Sequence, residues 1–558
     1  MISLDKPTSF GLPFTEFRPQ QIDALNRILN TQKRFVIIQA PTGVGKTLIA
    51  AMIQRVVRES IVYTCQTKQL QDQAVRDFGY TSDGRLFGAT LKGKNSYPTL
   101  LYPGDWPNIS PEICTAKKKG SHCKWCCSCG KTVDPASTEC TVYKCPYTVA
   151  KMFATVAPFK ILNLSMFLSL LNFTNFFGNP DDDNSVLPWL VCDEADELEH
   201  GLMAFIELRI GKTWAKKLEI EEPEFKTVER AWIEWVRSRA LPAAQKLLSE
   251  LRNGDREWMS REELLDMSWL ERIIPKMKDF LSYVDPEPDE NGNKKPDKWV
   301  WLSEEMVFKP VYIDKYAGDY LWNKVGRVVM MTATVISPDQ LCHDLGIKRE
   351  DAEFIDLPSD FPPVRRPVYY RPVVSVTHKD KDEAMPKLVF GMDQVLAIHK
   401  NDRVLVHSVS YHMTRYIAEN SAHSDRMITF SGANGRIEAI ERFKSIEGSI
   451  LVAPALERGV NLPDDLCRGI IVPKVPWPNK KDPQVSARLY GNKYFGEMWY
   501  VTQTIRSIVQ MTGRGMRHRD DWCQSYILDE QFAGLWKKHW RLFPAWWREA
   551  LILPRIGG

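Results

Sequence analysis

The stretch 35-FVIIQAPTGVGKTLIA-50 predicts the fold of the amino-terminal part of this chain. Its opening apolar run is typical of a short strand buried in a parallel sheet. The loop APTGVGKT (40–47) then leads into a helix, and its glycines allow backbone N–H groups to close around phosphate oxygens. Lys46 would reach the phosphates of a nucleotide, and Thr47 would hold Mg²⁺. The alternative is an ordinary strand–helix turn, since Ala40 stands where the general pattern has Gly. The candidate nucleotide-binding residues here are Ala40, Pro41, Thr42, Gly43, Val44, Gly45, Lys46 and Thr47.

Strand-like and helix-like patterns alternate on both sides of this loop. RPQQIDALNRILN (18–30) has helical spacing, and SIVYTCQT (60–67) is typical of a second strand. A second series begins near residue 340 and includes the strand-like RVLVHSV (403–409) and SILVAPAL (449–456). Strands that alternate with helices indicate parallel sheets with crossover connections. We therefore predict an α/β protein with two parallel-sheet units, and the 558 residues favour three or four domains in total.

The composition is that of a globular protein, with 44% apolar and 26% charged residues, and it excludes a disordered or fibrous chain. The net charge of +4 leaves room for a basic groove that binds nucleic acid. ILNLSMFLSLLNFTNFF (161–177) is the most membrane-like stretch, but it is short and interrupted by three asparagines. We predict a buried helix there and no membrane contact. The beginning of the chain lacks the pattern of a signal peptide, so we expect a cytoplasmic protein. The compact length favours a bacterial or virus-infected bacterial cell as its source.

An acidic motif lies at the end of another predicted strand, in VCDEADELEH (191–200). Asp193 at the strand end can bind Mg²⁺, and Glu194 can polarise an attacking water. Acids beside a helix start are often only caps, and the interpretation depends on the pairing with the loop at 40–47.

A basic motif, QMTGRGMR (510–517), contains Gln510, Arg514 and Arg517. In a helix the two arginines would share one face, three residues apart. Their guanidinium groups could reach a γ-phosphate and stabilise the charge in transfer. The alternative is a solvated basic face.

Seven of the 12 cysteines lie between Cys114 and Cys145, most of them in 121-SHCKWCCSCGKTVDPASTECTVYKCPY-147. In a protein that is not secreted such a cluster indicates a metal centre and not disulfides. Four thiolates can hold a 4Fe–4S cluster or Zn²⁺, and spacing alone does not separate the two. The five scattered cysteines, in contrast, are predicted to be packed side chains: Cys65, Cys192, Cys342, Cys467 and Cys523.

Taken together, the motifs resemble those of the superfamily 2 helicases, in the same order and over nearly the whole chain. The set comprises FRPQQ (17–21), APTGVGKT, TCQTKQLQDQ (64–73), DEAD (193–196), TAT (332–334), RVLVHSVS (403–410), ERGVNLP (457–463) and QMTGRGMR. Within the superfamily the chain resembles the XPD/DinG group, where a cysteine-rich insertion lies between segments similar to LKGKNSYPT (91–99) and CPY (145–147). Asn163, PSDFPP (358–363) and VPKVPWPNKKDP (472–483) resemble further segments of that group.

This resemblance implies two RecA-like motor domains with ATP and Mg²⁺ between them, and two insertions in the first motor. We expect the first motor at 1–91, 148–200 and 313–338, the cysteine-rich iron–sulfur or zinc insertion at 92–147, a helical Arch-like insertion at 201–312, and the second motor at 339–558. Members of the group move 5′ to 3′ on single-stranded DNA and separate duplexes, so single-stranded and forked DNA are the expected partners. The family default is a monomer, to which accessory proteins could bind.

The resemblance also assigns roles to individual residues. Lys46, Asp193, Glu194, Gln510, Arg514 and Arg517 would form the catalytic set. Arg18 and Gln21 would contact adenine. The DNA contacts would be Thr64, Thr67, Lys68 and Ser408, and the residues that couple hydrolysis to movement would be Thr332, Thr334, Gly459 and Asn461. Cys114, Cys123, Cys126 and Cys145 follow the group's order of cluster ligands, while Cys126, Cys129, Cys140 and Cys145 form a competing zinc-knuckle-like set, with Cys127 as a further alternate.

Three departures from the group's pattern stand out. Asp196 ends a tetrapeptide that usually ends in His, Arg458 and Asn461 replace two acids, and Pro98–Thr99 stands where the first cluster cysteine should be. Two other functions are therefore kept as alternatives. One is an RNA helicase of the DEAD-box kind, and the other is an ATP-gated nucleic-acid clamp or remodelling subunit without processive unwinding.

Overall fold

A computed structural model of the chain contains two parallel sheets. Between two strands of the first sheet lies a region of helices with a small antiparallel sheet. The structure describes residues 6–98, 145–178, 186–253, 260–286, 295–376, 381–432, 434–454, 462–516 and 518–554. Each parallel sheet has seven strands within these ranges. The predicted pair of parallel-sheet α/β units is confirmed.

The first unit opens with alternating strands and helices. Its elements before the insertion are α1 (Pro19–Asn30), β1 (Phe35–Gln39), α2 (Lys46–Val57), β2 (Ile61–Cys65), α3 (Lys68–Phe78), β3 (Gly88–Thr90), α4 (Pro146–Val156), β4 (Phe159–Asn163), α5 (Leu164–Phe173) and β5 (Leu187–Asp193). The stretch 161–177, predicted as one helix, is instead the end of β4 followed by α5. Asn163 separates them, because its side chain accepts a hydrogen bond from Met166 N at 2.8 Å and caps the helix. In the described ranges, no helix is both long and apolar enough to span a bilayer.

The middle of the chain is helical with one small antiparallel sheet. Its elements are α6 (Leu198–Ile206), β6 (Leu208–Arg209), α7 (Gly211–Lys217), α8 (Glu229–Trp235), α9 (Leu241–Asn253), α10 (Arg261–Val284), β7 (Trp299–Leu302), β8 (Val307–Pro310) and α11 (Asp314–Tyr320). The three strands pair in the order β6-β8-β7. Trp232 and Trp235 are buried in the core that this region shares with one face of the first sheet.

The first sheet takes two more strands from beyond the insertion. β9 (Val325–Thr332), α12 (Pro338–Asp344) and β10 (Ala352–Asp356) complete it, in the order β10-β1-β9-β5-β2-β4-β3. β10 pairs in parallel with β1, from Phe35 opposite Ala352 to Gln39 opposite Asp356. The first parallel-sheet unit therefore extends past residue 338, the predicted boundary of the first motor domain. Strands in this sheet place successive side chains on opposite faces, so Ile37 and Ile38 enter two different hydrophobic clusters.

The second unit is built in the same way. Its elements are β11 (Val368–Val374), α13 (Lys381–Ile398), β12 (Val404–His407), α14 (Tyr411–Asn420), β13 (Met427–Ile428), α15 (Asn434–Ser445), β14 (Ile450–Ala453), β15 (Gly469–Val472), α16 (Pro483–Gly491), α17 (Lys493–Thr512), β16 (Gln524–Asp529), α18 (Gln531–His539), α19 (Ala545–Arg548) and β17 (Leu551–Ile552). The strand order is β13-β14-β12-β15-β16-β11-β17. Phe543 and Trp547 are buried against this sheet.

Candidate active site

The loop between β1 and α2 has the backbone that phosphate binding requires. Gly43 and Gly45 have φ values of +90° and +81°, a region that side chains with a Cβ atom rarely adopt. A Cβ atom on Gly45 would lie 2.5 Å from Gln21 Nε2, and that amide donates to Val44 O at 2.8 Å. Gln21, which is only 3% exposed, therefore supports the loop from beneath through this hydrogen bond. The sequence predicted Gln21 as a nucleotide contact but did not indicate this bracing role.

Lys46 meets both predicted acids at the end of β5. Its Nζ lies 2.9 Å from Asp193 Oδ1 and 3.1 Å from Glu194 Oε1. Burial opposes the charge of Lys46, but the two carboxylates outweigh that effect and raise the pKa of the ammonium group above its ordinary value. The three residues named from separate motifs thus form one charged cluster.

A tyrosine that the sequence analysis did not single out links this cluster to the loop. Tyr63 OH donates to Asp193 Oδ2 at 2.8 Å and lies 3.3 Å from Thr47 Oγ1. Burial, reinforced by the charge of Asp193, raises the pKa of the phenol well above its usual range. Tyr63 therefore stays a neutral donor. Its place on β2, next to β5, follows from the sheet order, which the sequence alone did not define.

Glu194 has a backbone conformation that is rare for a residue with a side chain, with φ of 51° and ψ of 48°. Its N–H donates to Asp193 Oδ1 at 2.9 Å, which ties the turn to the end of β5. Burial raises the pKa of the Glu194 carboxyl, an effect that Lys46 opposes and that the neighbouring charges of Asp193 and Asp196 reinforce. Strained residues of this kind concentrate at functional sites.

Asp196 is the centre of a hydrogen-bond network between the two parallel-sheet units. Its carboxylate accepts from Thr332 Oγ1 at 2.5 Å, from Thr334 Oγ1 at 3.0 Å and from Gln510 Nε2 at 2.6 Å. Gln510 Nε2 also lies 3.0 Å from Thr334 Oγ1. Arg506, one turn earlier on α17, lies 3.9 Å from Asp196 and donates to Thr334 O at 3.3 Å. The sequence analysis identified Asp196 only as a departure from a family pattern, and it did not identify Arg506 as a site residue.

The helix α17 ends within the basic motif. α17 ends at Thr512 with Gly513 as its cap, so Arg514 lies in the turn beyond the helix. Arg514 lies near the buried His407 of β12, and burial together with the charge of Arg514 lowers the pKa of that imidazole to about 3. Arg517 lies outside the described residues.

The segment that joins the two parallel-sheet units covers the loop at 40–47. Phe361 belongs to a hydrophobic cluster of the second motor, and its ring would lie 2.4 Å from a Cβ atom on Gly43. The preceding residue, Asp360, accepts from Gln20 Nε2 and lies 3.8 Å from Arg18 Nη1. Arg18, predicted to contact adenine, thus lies beside the loop and is half-exposed.

A second contact between the motors lies at the other end of α17. The ring of Phe495 stacks on His343 of α12 with 3.7 Å between centroids. Nearby, Arg488 of α16 forms a buried ion pair with Glu199 of α6 and donates to Val311 O at 2.7 Å. The second parallel-sheet unit therefore contacts α12 of the first unit through α17, and α6 and Val311 of the middle region through α16.

The residues predicted to contact DNA differ in exposure. Thr67 and Lys68 are exposed where α3 begins, and Thr67 caps that helix by accepting from Leu70 N at 3.2 Å. Thr64 is 2% exposed, and Ser408 is fully buried with its Oγ 2.6 Å from Thr414 Oγ1. Neither of these two side chains faces solvent. Gly459 and Asn461 lie outside the described residues.

Of the cysteines proposed to hold the cluster, Cys145 alone lies within the described residues. It is 4% exposed at the start of α4, with Tyr97 and Tyr147 packed edge to face nearby. Cys114, Cys123, Cys126, Cys127, Cys129 and Cys140 lie outside the described ranges. The five scattered cysteines are buried, which confirms their prediction as packed side chains.

Comparisons with known proteins agree with this geometry. The helicase C-terminal domain family matches residues 393–550, and the type III restriction enzyme res subunit family matches residues 14–100. A probable ATP-dependent helicase of Methanocaldococcus jannaschii is 22% identical over 93% of this chain and 92% of its own length. The Fanconi anemia group J protein homolog of Gallus gallus is 30% identical, over 18% of this chain and 9% of that protein.

Solved structures show the same fold. A structure described as an XPD helicase superposes with a TM-score of 0.60 at 18% identity, and covers 97% of this chain and 100% of its own. The Xpd4 structure from S. tokodaii superposes with a TM-score of 0.54 at 15% identity, with 96% and 100% covered. The carboxyl-terminal part of the chain thus matches a helicase domain family, and over nearly its whole length the chain is similar to a probable ATP-dependent helicase and to XPD structures. The resemblance inferred from motif order is thus confirmed, and the two seven-stranded sheets are the RecA-like motors of an ATP-dependent helicase.

Proposed function

We propose that this helicase hydrolyses ATP to move along single-stranded DNA, 5′ to 3′, and to unwind duplex or forked DNA. The observation that carries the proposal is the Asp196 network, which joins the acidic motif of the first motor to Gln510 of the second. We favour DNA over RNA as the nucleic acid because one relative is an ATP-dependent DNA helicase. This is chl-1 of Caenorhabditis elegans, which is 30% identical over 16% of this chain. The polarity is proposed from the family resemblance.

Hydrolysis would use the cluster around Lys46. The phosphates of ATP would compete with Asp193 and Glu194 for the Lys46 ammonium group, which the structure holds at the helix N-terminus. Thr47 and Asp193 offer oxygen donors on either side of Tyr63 OH, a donor set that fits Mg²⁺. Mg²⁺ neutralises phosphate charge when it is bound. Glu194, whose pKa is raised, is the residue suited to orient the attacking water and take its proton.

The coupling of hydrolysis to movement would pass through Asp196. Its carboxylate lies two residues after Glu194 and holds side chains from β9, the segment after it and α17. A change in the acidic turn therefore acts directly on a helix of the second motor. Thr67 and Lys68 are the exposed residues of the first motor that we assign to the DNA backbone.

We further propose that the cysteine-rich insertion holds a 4Fe–4S cluster through Cys114, Cys123, Cys126 and Cys145. Thiolate sulfur is the donor for such clusters, and Zn²⁺ is the alternative with the same donors. Cys145 is buried at the start of α4, near the packed rings of Tyr97 and Tyr147. A metal bound to Cys145 would therefore attach the insertion to the first motor. The test is anaerobic purification followed by iron, sulfide and zinc analysis: about four irons per chain are expected, and stoichiometric zinc would contradict the iron–sulfur assignment.

Strand-stimulated ATP hydrolysis and fork unwinding test the main proposal. Single-stranded DNA should stimulate turnover more than RNA of the same length, and forks with a 5′ tail should be opened. Lys46→Ala should abolish both activities, while Lys246→Ala, which alters a side chain that is 79% exposed, should change neither. Unwinding that survives Lys46→Ala would contradict the mechanism. Stimulation by RNA alone would favour an RNA helicase, and turnover without opening of any fork would favour an ATP-gated clamp.

A further inference from the structure

A buried tyrosine lies between the two residues that we assign to Mg²⁺. Tyr63 is 2% exposed on β2, and its hydroxyl donates to Asp193 Oδ2 at 2.8 Å. The same hydroxyl oxygen lies 3.3 Å from Thr47 Oγ1. A buried phenol hydroxyl usually needs a polar partner, and here both neighbours are proposed metal ligands. The hydroxyl is therefore in a position to affect the metal site.

The sheet and a row of aromatic rings fix the position of this hydroxyl. β2 pairs in parallel with β5, and Tyr63 lies opposite Val191, two residues before Asp193. The Tyr63 ring stacks on Phe159 of β4 with 5.7 Å between centroids and 25° between planes. Phe159 in turn stacks on Phe87 with 5.4 Å between centroids and 8° between planes. The packed rings therefore hold the phenol in place at the end of β5.

The two oxygens of the Asp193 carboxylate have different partners. Oδ1 lies 2.9 Å from Lys46 Nζ and accepts from Glu194 N at 2.9 Å, whereas Oδ2 accepts from Tyr63. Lys46 is the partner that would leave, because in the proposed mechanism its ammonium group moves to the phosphates of ATP. Tyr63 is part of a packed strand and would stay. Its hydrogen bond to Oδ2 then keeps the orientation of the carboxylate after Lys46 has left.

We propose that Tyr63 is a positioning residue for the Mg²⁺ site, which holds the Asp193 carboxylate in the orientation that serves the metal when ATP draws Lys46 away. Groups that hydrogen-bond to a metal-binding carboxylate orient it, and their loss typically costs about 10–100-fold in metal affinity. The inference rests on the proposed function, since it assumes that Asp193 and Thr47 serve Mg²⁺. Tyr63 acts through Asp193 and is not itself a catalytic residue.

The test removes the hydroxyl and measures metal binding directly. Tyr63→Phe deletes one oxygen and keeps the ring, so the stacking on Phe159 is retained. Mn²⁺ is the probe, and its binding to the ADP-saturated protein is followed by electron paramagnetic resonance. We expect the Kd for Mn²⁺ to rise by about ten-fold or more in Tyr63→Phe, the range typical of such groups. A Kd for Mn²⁺ equal to that of the parent protein overturns the proposal.

A second readout separates positioning from a purely structural role. The Kd for a fluorescent ADP analogue in EDTA should be equal in the parent and in Tyr63→Phe, because Lys46 and the loop at 40–47 are unaltered. The Mg²⁺ concentration that gives half-maximal ATP turnover should rise, and excess Mg²⁺ should restore turnover. If ADP binding in EDTA weakens as much as Mn²⁺ binding, the loop itself is damaged and the positioning role is refuted.

Tyr526→Phe is the matched control. Its phenol is 3% exposed and donates to Gln524 Oε1 at 2.7 Å in the second sheet, so a buried, hydrogen-bonded hydroxyl is lost in the same way. The Mn²⁺ affinity of this control should equal that of the parent.

A further variant keeps the test valid if Tyr63→Phe fails to fold. Phe159→Leu retains the hydroxyl but removes the ring on which Tyr63 stacks, and it should weaken Mn²⁺ binding by a smaller factor. Unchanged Mn²⁺ affinity in Phe159→Leu would contradict the restraint on Tyr63. A parent protein that binds no Mn²⁺ in the presence of ADP would instead refute the proposed function, whatever the role of Tyr63.

Discussion

Gln510 of the second motor donates a 2.6 Å hydrogen bond to the carboxylate of Asp196 in the first. The two residues are far apart in sequence, and their contact depends on the relative position of both sheets. The same carboxylate also binds both threonines of the TAT motif. One aspartate therefore connects three motifs that the sequence shows only as separate segments.

Asp196→Asn should separate ATP turnover from unwinding. The amide has one acceptor oxygen in place of two, and its own N–H groups face the donors of the network. It therefore cannot accept all three hydrogen bonds from Thr332, Thr334 and Gln510. We expect fork unwinding to fall by at least ten-fold while ATP turnover without DNA falls less. The ratio of the two rates, measured on one preparation, tests this. Equal losses in both would show that Asp196 acts only on hydrolysis.

Gly43→Ala should weaken ATP binding through crowding against Phe361. A Cβ atom at Gly43 would lie 2.4 Å from the Phe361 ring, in addition to the strain of the positive φ. Gly84→Ala is the matched control, since Gly84 has φ of +79° and nothing within 4 Å among the described residues. We expect at least a ten-fold rise in the Kd for a fluorescent ATP analogue with Gly43→Ala and none with Gly84→Ala. Partial recovery in Gly43→Ala with Phe361→Ala would confirm the ring as the cause.

Stability should rise with pH in the acid range because of His407. The pKa of this imidazole is lowered by burial and by the charge of Arg514 to about 3, against about 6.5 in the unfolded chain. The unfolded state then binds more protons between these values, so the free energy of unfolding falls as the pH falls from about 6.5 to about 3. His407→Leu should flatten that slope in urea titrations. The exposed His412→Asn is the control, and an unchanged slope in His407→Leu would contradict the assignment.

Arg488→Met should destabilise the contact between the second motor and the insertion. Removing one partner leaves Glu199 as a buried carboxylate, which typically costs 3–5 kcal/mol. Urea unfolding should show this loss, and Arg488→Met with Glu199→Met should recover much of it. If the double variant were no more stable than the single one, the ion pair would not be the cause.

Much of the fold was predictable because its signals are local. A buried strand, a glycine loop and a helix follow one another at 35–57, and each can be read from a few residues. The pairing of Lys46 with Asp193 and Glu194 also followed from motif chemistry. The strand β10 was missed because its place beside β1 depends on a contact of distant segments.

The errors within the site have a similar origin. The spacing of Arg514 and Arg517 suggested a helical face, but α17 ends at Thr512, before Arg514. Tyr63 and Arg506 were missed because nothing in their local sequence identifies them as site residues. Their roles arise only when the sheet order brings β2 beside β5, and when α17 crosses to Thr334.

The helix α17 touches the first motor near both of its ends, through Phe495 on His343 and through Gln510 on Asp196. Its 20 residues make a rod about 30 Å long. A straight helix held near both ends cannot tilt without changing both contacts. A displacement of Gln510 relative to Asp196 is therefore coupled, through the rigid body of α17, to the stacking of Phe495 on His343.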